Sequence, residues 1–199
     1  RLFGQLSLIE PSDGTPFLTN MFLHGGWLHL VLNMWTLWIF GPAVEDRLGP
    51  VRFTLFYLVC GVAAGLAHAL ANPNSIVPAL GASGAIAGVI GCYARMFPGA
   101  RLVVILPILF LPLFFEVHAV VFAMIWFFMQ VIPGILSLGS DQAAGGIAWW
   151  AHIGGFAAGW LITPLLRRRA ADYRPHYRDE GIYGFLPDGR REGGQGPWI

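Results

Sequence analysis

Gly81-Ala82-Ser83-Gly84 stands at the mouth of one apolar segment, and Ala151-His152-Ile153-Gly154-Gly155 lies inside another. This pair decides how the chain is read. A serine at a glycine-rich helix start and a histidine in a later apolar span can supply a nucleophile and its base. No Asp, Glu, Lys or Arg falls within ten residues of either. An ionisable side chain inside a bilayer is costly, so His152 is a functional candidate by default.

The composition supports a membrane setting. The 199 residues are 56% hydrophobic and only 12% charged, with a mean hydropathy of +0.62. Soluble domains carry roughly a quarter charged residues. The net charge of +1 and the absence of a basic stripe interleaved with aromatics give no sign of a nucleic-acid partner. Cys60 and Cys92 both fall in apolar segments without metal-ligand spacing, so they read as small buried hydrophobes. The chain opens at Arg1 without a signal-peptide pattern, and it is expected to begin downstream of a natural N-terminus.

Charges and breakers delimit five apolar spans. Residues 1–26 form an outer-side segment in which Glu10, Pro11, Asp13, Gly14 and Pro16 argue against helix. The membrane domain runs over 27–169. Its spans are Trp27–Val44, Phe53–Ala71, Gly81–Phe97, Val117–Ile132, which Pro133-Gly134 should end, and Gly146–Leu166. Residues 102–115 are apolar but broken by Pro107 and Pro112, and read as a re-entrant or surface-lying lead-in. Residues 170–199 are a polar, Gly- and Arg-rich cytoplasmic tail, expected to be flexible. The expected fold is an all-α polytopic bundle.

Charge asymmetry orients it. Arg47 and Arg52 follow the first span, Arg95 and Arg101 the third, and Arg167, Arg168 and Arg169 the fifth. All then lie on the cytoplasmic side. His29, Asn33, Ser83 and His152 sit two to six residues inside the outer ends of their spans, a common depth of roughly 3–9 Å. Four polar residues at one depth can converge on a site near the outer face.

Ser83 and His152 must be in contact to react, and their flanks favour that. Gly84-x-x-x-Gly88 and Ala151-x-x-x-Gly155-x-x-x-Gly159 let helices approach backbone to backbone. The plain alternative makes Ser83 a packing residue and His152 a structural polar contact; their shared depth counts against it. A helix start also offers backbone N–H groups to an oxyanion. His29 and Asn33, four apart on one helix face, can donate to the same place, or else serve as interhelical glue. His24 reads as loop-supporting, His68 as a satisfied structural residue, and Glu116 and His118 as boundary residues. The tryptophans, Trp126 and Trp149 included, read mostly as interfacial anchors or packing. No H-E-x-x-H or other metal-ligand set occurs in the sequence, and no cofactor is implied.

The chain resembles the rhomboid intramembrane serine proteases from about Thr19 to Arg169. The resemblance rests on Met21-Phe22-Leu23-His24-Gly25-Gly26-Trp27-Leu28-His29-x-x-x-Asn33 and Gly41-x-x-x-Glu45-Asp46-Arg47-Leu48-Gly49. It also rests on Gly81-Ala82-Ser83-Gly84 and on Ala151-His152-Ile153-Gly154-Gly155-x-x-x-Gly159. It implies a Ser–His dyad without an acidic third member, with Ser83 as nucleophile and His152 as base and acid. It implies His29, Asn33 and the Ser83 N–H near the oxyanion, with Glu45 and Arg47 as structural partners. The family core has six spans, and the first is absent here. The tryptophan–arginine pair often found before the His24 region is replaced by Thr15-Pro16-Phe17. Where some members stack an aromatic residue under the histidine, one turn after the serine, Ala87 stands.

The expected function is serine endopeptidase cleavage of transmembrane or juxtamembrane segments of other membrane proteins, most simply in a bacterial inner membrane. The alternatives are a rhomboid-like protein that binds clients without cutting them, and a channel or transporter. Polar residues at one depth rather than along a crossing path rank the latter low. Oligomeric state is not legible.

Overall fold

The computed structural model describes residues 15–73, 79–108, 111–138 and 148–166. A short helix, α1 (Thr15–Thr19), and a 3-10 turn (Asn20–Phe22) lead into α2 (Trp27–Leu48) and α3 (Pro50–Ala71). Then come α4 (Ser83–Met96), β1 (Arg101–Ile108), β2 (Leu111–His118), α5 (Ala119–Ser137) and α6 (Trp149–Leu166). The molecule is mostly helical, with helices at all five positions read as spans. Three of them, α2, α3 and α5, are long and apolar enough to cross a membrane.

α4 is the central element. Every residue from Gly84 to Cys92 is buried. Small side chains make this possible. A Cβ on Gly155 or Gly159 of α6 would collide with the carbonyl oxygen of Gly84 or Gly88 on α4. A Cβ on Gly88 would meet Cys60 Sγ of α3 at 2.6 Å, and one on Gly84 would meet Ala64 Cβ at 2.5 Å. Contacts Gly84–Gly155 and Gly88–Gly159 advance together, so α4 and α6 run parallel. Contacts Gly84–Ala64 and Gly88–Cys60 run in opposite order, so α3 is antiparallel to both. Cys60 and Cys92 are free, buried thiols, as expected for small hydrophobes. Sequence reading gave Ala64 no such packing constraint. It sits at the three-helix junction, 3% exposed.

α2 lies parallel to α4. The Arg47 guanidinium sits 5.0 Å above the Phe97 ring, tying their C-terminal ends. Asn33 lies fourteen residues before Arg47, and Ser83 fourteen before Phe97. Counted from that shared level, Asn33 and Ser83 stand at one depth, about 9 Å below the start of α2 at 1.5 Å per residue. The shortness of α4 therefore sets its first residue below the start of α2.

Several expectations are corrected. The fold is not purely helical. β1 and β2 pair antiparallel in register Arg101↔His118 to Ile108↔Leu111, with an Arg101–Glu116 ion pair at 2.9 Å. Pro107 and Pro112 oppose each other across the two strands. An apolar run with two prolines cannot sustain helical bonding, and the β-branched Val103, Val104 and Ile105 suit a strand. Pro133 does not end α5, which continues to Ser137. The Gly134 carbonyl just beyond it accepts hydrogen bonds from Ser137 Oγ at 2.6 Å and Trp150 Nε1 at 3.1 Å. Pro16 does not bar helix either, since proline is tolerated in the first turn of α1. The tail 170–199, residues 1–14 and the Arg167–Arg169 cluster lie outside the described residues.

Gly155→Leu and Gly88→Leu should each destabilise the protein by at least the ~1–3 kcal/mol typical of overpacking. Val59→Leu, at a half-exposed position on α3, should stay within about 0.5 kcal/mol. Denaturant unfolding in detergent micelles measures all three, and equal stability across the set would refute the backbone-to-backbone junction.

Candidate active site

The packing of α4 on α6 brings Ser83 and His152 together. Ser83 Oγ and His152 Nε2 are 2.8 Å apart. Ser83 is the first residue of α4, and the first closing bond runs from the Ile86 N–H to the Ala82 carbonyl at 3.0 Å. The N–H groups of Ser83, Gly84 and Ala85 therefore have no partner within the helix. They and the positive helix end form a place suited to negative charge beside the hydroxyl.

Gly81 shapes the approach. Its φ of +111° is a left-handed conformation that favours glycine. Its N–H donates to the Asn20 carbonyl at 2.9 Å, pinning the loop to the 3-10 turn. A Cβ here would stand 2.7 Å from His29 Cε1 and 3.5 Å from Asn33 Nδ2. His29 and Asn33 thus lie directly over the backbone two residues before Ser83. Asn33 is buried, and its Nδ2 has no hydrogen-bond partner among the described residues. An unpaired buried donor costs ~1–3 kcal/mol, so its orientation toward the site asks for an acceptor that arrives from outside.

Three features escaped the sequence reading. Gln130 of α5, 6% exposed, places Oε1 2.9 Å from His152 Nδ1, and its Nε2 donates to the Trp126 carbonyl at 3.1 Å. As the single amide in an otherwise apolar helix, it carried the signal that could have found it. Trp126 and Trp149 flank the imidazole, with ring centroids 5.9 and 6.5 Å away. The aromatic neighbour that Ala87 does not provide comes instead from α5. His24 stands closer to the site than a loop-supporting role suggests: its ring meets that of His29 edge-on at 5.2 Å, and its buried Nε2 has no hydrogen-bond partner among the described residues. The buried Nδ1 of His68, expected to be satisfied, has none among the described residues either.

Gly84, Gly88, Gly155 and Gly159 form the helix junction. Arg47 packs on Phe97, and the Glu45 carbonyl accepts the Gly49 N–H at 2.6 Å, capping α2. Arg47, Arg52, Arg95 and Arg101 all gather at the end of the bundle opposite Ser83. Arg95 holds α4 to α6 there, donating to the Trp160 carbonyl at 3.0 Å.

A bundle with helices long and apolar enough to span a membrane, which sets a serine hydroxyl against an imidazole inside its own packing, defines the class as a membrane protein. The profile of the Rhomboid domain matches residues 11–169, and the chain belongs to the rhomboid family. It is 29% identical over 171 residues to RHOMBOID-like protein 4 of Arabidopsis thaliana, covering 85% of this chain and 37% of that one. It is 41% identical over 85 residues to the rhomboid protease GluP of Bacillus subtilis (43% of this chain, 16% of that one). It is also 31% identical over 158 residues to the mitochondrial presenilin-associated rhomboid-like protein of Rattus norvegicus (75% and 37%). The chain spans well under half the length of each of these relatives, which come from bacteria and from eukaryotes.

Gly81→Ala should destabilise the protein by about 1–3 kcal/mol, because it combines an unfavourable φ with a clash against His29. Gly99→Ala, with open space where its Cβ would stand, should be near neutral. Thermal unfolding of the two variants side by side checks this; equal melting temperatures would contradict the packing of His29 on the loop.

Proposed function

We propose that this protein is an intramembrane serine endopeptidase that cleaves transmembrane or juxtamembrane segments of other membrane proteins. The observation that carries the reading is the 2.8 Å contact between Ser83 and His152 at the start of α4. The Ser83 hydroxyl attacks the scissile carbonyl carbon while His152 Nε2 takes its proton. The carbonyl electrons move onto oxygen, where the Ser83 N–H, Asn33 Nδ2 and His29 stabilise them. The protonated His152 then gives its proton to the departing amine, and water releases the acyl group by the same route in reverse.

The helices alternate in direction, which suits five crossings with the arginine-rich end in the cytoplasm and the site near the outer face. A bacterial inner membrane fits the arginine-only basicity of the chain. Substrate reaches the site laterally. α2 and α5 meet where Phe40 stacks on Phe122 at 6.0 Å, in their inner halves. Toward the outer face, Leu28, Leu32 and Trp35 of α2 and Met129, Ile132 and Leu136 of α5 are exposed. A substrate helix must unwind to present its carbonyls, so small or helix-breaking residues near its outer end favour cleavage.

Ser83→Ala and His152→Ala should each abolish cleavage of a test transmembrane substrate while leaving the protein folded. Comparable turnover by either purified variant would sink the dyad, and intact substrate binding without cleavage by the parent protein would favour the client-binding alternative. Asn33→Ala should lower kcat by about 10²–10³, or ~2.7–4 kcal/mol, with little change in KM. A raised KM at constant kcat would make Asn33 a substrate-positioning group instead.

A further inference from the structure

We propose that Gln130 is the positioning residue of His152: it fixes the tautomer and ring orientation that leave Nε2 free to accept the serine proton. The proposal rests on the Ser83–His152 reading above and adds a member to it.

The assignment follows from hydrogen-bond capacity. The Trp126 carbonyl can only accept, so the Gln130 group 3.1 Å from it is the amide NH2. The carbonyl end, Oε1, then faces His152 Nδ1 at 2.9 Å. A carbonyl oxygen cannot donate, so Nδ1 carries the hydrogen. A neutral imidazole holds one proton, which leaves a lone pair on Nε2. That lone pair faces Ser83 Oγ at 2.8 Å and accepts its hydrogen. One fixed acceptor in the backbone of α5 therefore orders three side chains in sequence, Gln130, His152 and Ser83.

The neighbours hold this chain in place. Gln130 is 6% exposed, and Trp126, whose carbonyl anchors it, also sets its ring beside the imidazole at 5.9 Å. The residue type suits the depth. A carboxylate facing Nδ1 would orient the ring equally well, but a buried charge in a bilayer is expensive. An amide supplies the acceptor without it.

Gln130→Met keeps size and removes the acceptor; Gln130→Glu keeps the acceptor and adds charge. If Gln130 positions His152, Gln130→Met should lose roughly 10- to 100-fold in kcat with little change in KM, the size typical of partners that orient a histidine. Gln130→Glu should retain more activity than Gln130→Met. If Gln130 merely fills space, the order reverses, since methionine packs better than a buried carboxylate. Nitrogen NMR of histidine-labelled protein, with His152 assigned by its absence in His152→Ala, reads the tautomer directly and needs no turnover. The parent should show the Nδ1–H form and Gln130→Met a mixture. An unchanged tautomer together with unchanged kcat in Gln130→Met would overturn the role of Gln130. Because Ser83→Ala and His152→Ala test the dyad separately, that result would leave the protease reading standing.

Discussion

The structure depends on the contact between the backbones of α4 and α6. Two carbonyl oxygens of α4, at Gly84 and Gly88, occupy the space where side chains at Gly155 and Gly159 would stand. Lipid offers no hydrophobic drive for helices to associate, so this approach is held by dispersion and fit between small residues. α3 completes the junction with Ala64 and Cys60. The same spacing that lets the helices touch places His152 within a hydrogen bond of Ser83. Packing and chemistry therefore share residues, and a side chain added at the junction disturbs both.

Depth is the second constraint. α4 is fourteen residues long and α2 twenty-two. Because the two are joined at their C-terminal ends through Arg47 and Phe97, the deficit falls at the N-terminal end. There Ser83 starts α4 at the level of Asn33, below the start of α2. A helix start in such a place presents backbone donors that a continuous span would have used internally. Among the described residues, the hydrogen-bond partners of the His152 ring are neutral: Gln130 and Ser83.

How much of this was legible in the sequence varied with the kind of interaction. Close packing was, because Gly at four-residue spacing has one main use between apolar helices. Ser83, His152, His29 and Asn33 could be grouped by depth alone. Gln130 was not found, although it was the one amide in its span, because its partner lies 22 residues away and only the fold sets their rotation. Ala64 was not singled out for a related reason: alanine is common in membrane helices, and nothing local distinguishes one at a three-helix junction from one facing lipid. Pro107 and Pro112 argued against a span at 102–115, but the pairing of β1 with β2 was not legible, because cross-strand partners are set by register and not by local spacing. Pro133 was read as a terminator, but a helix can continue through proline where neighbouring groups take up the altered bonding.

The central claim is that one serine, activated by one histidine, does the chemistry. Reaction with a fluorophosphonate, followed by peptide mapping in a mass spectrometer, tests it most directly. A single adduct on Ser83, formed by the parent protein and lost in His152→Ala, is the predicted result. An adduct on another serine, or equal modification of Ser83 without His152, would contradict it.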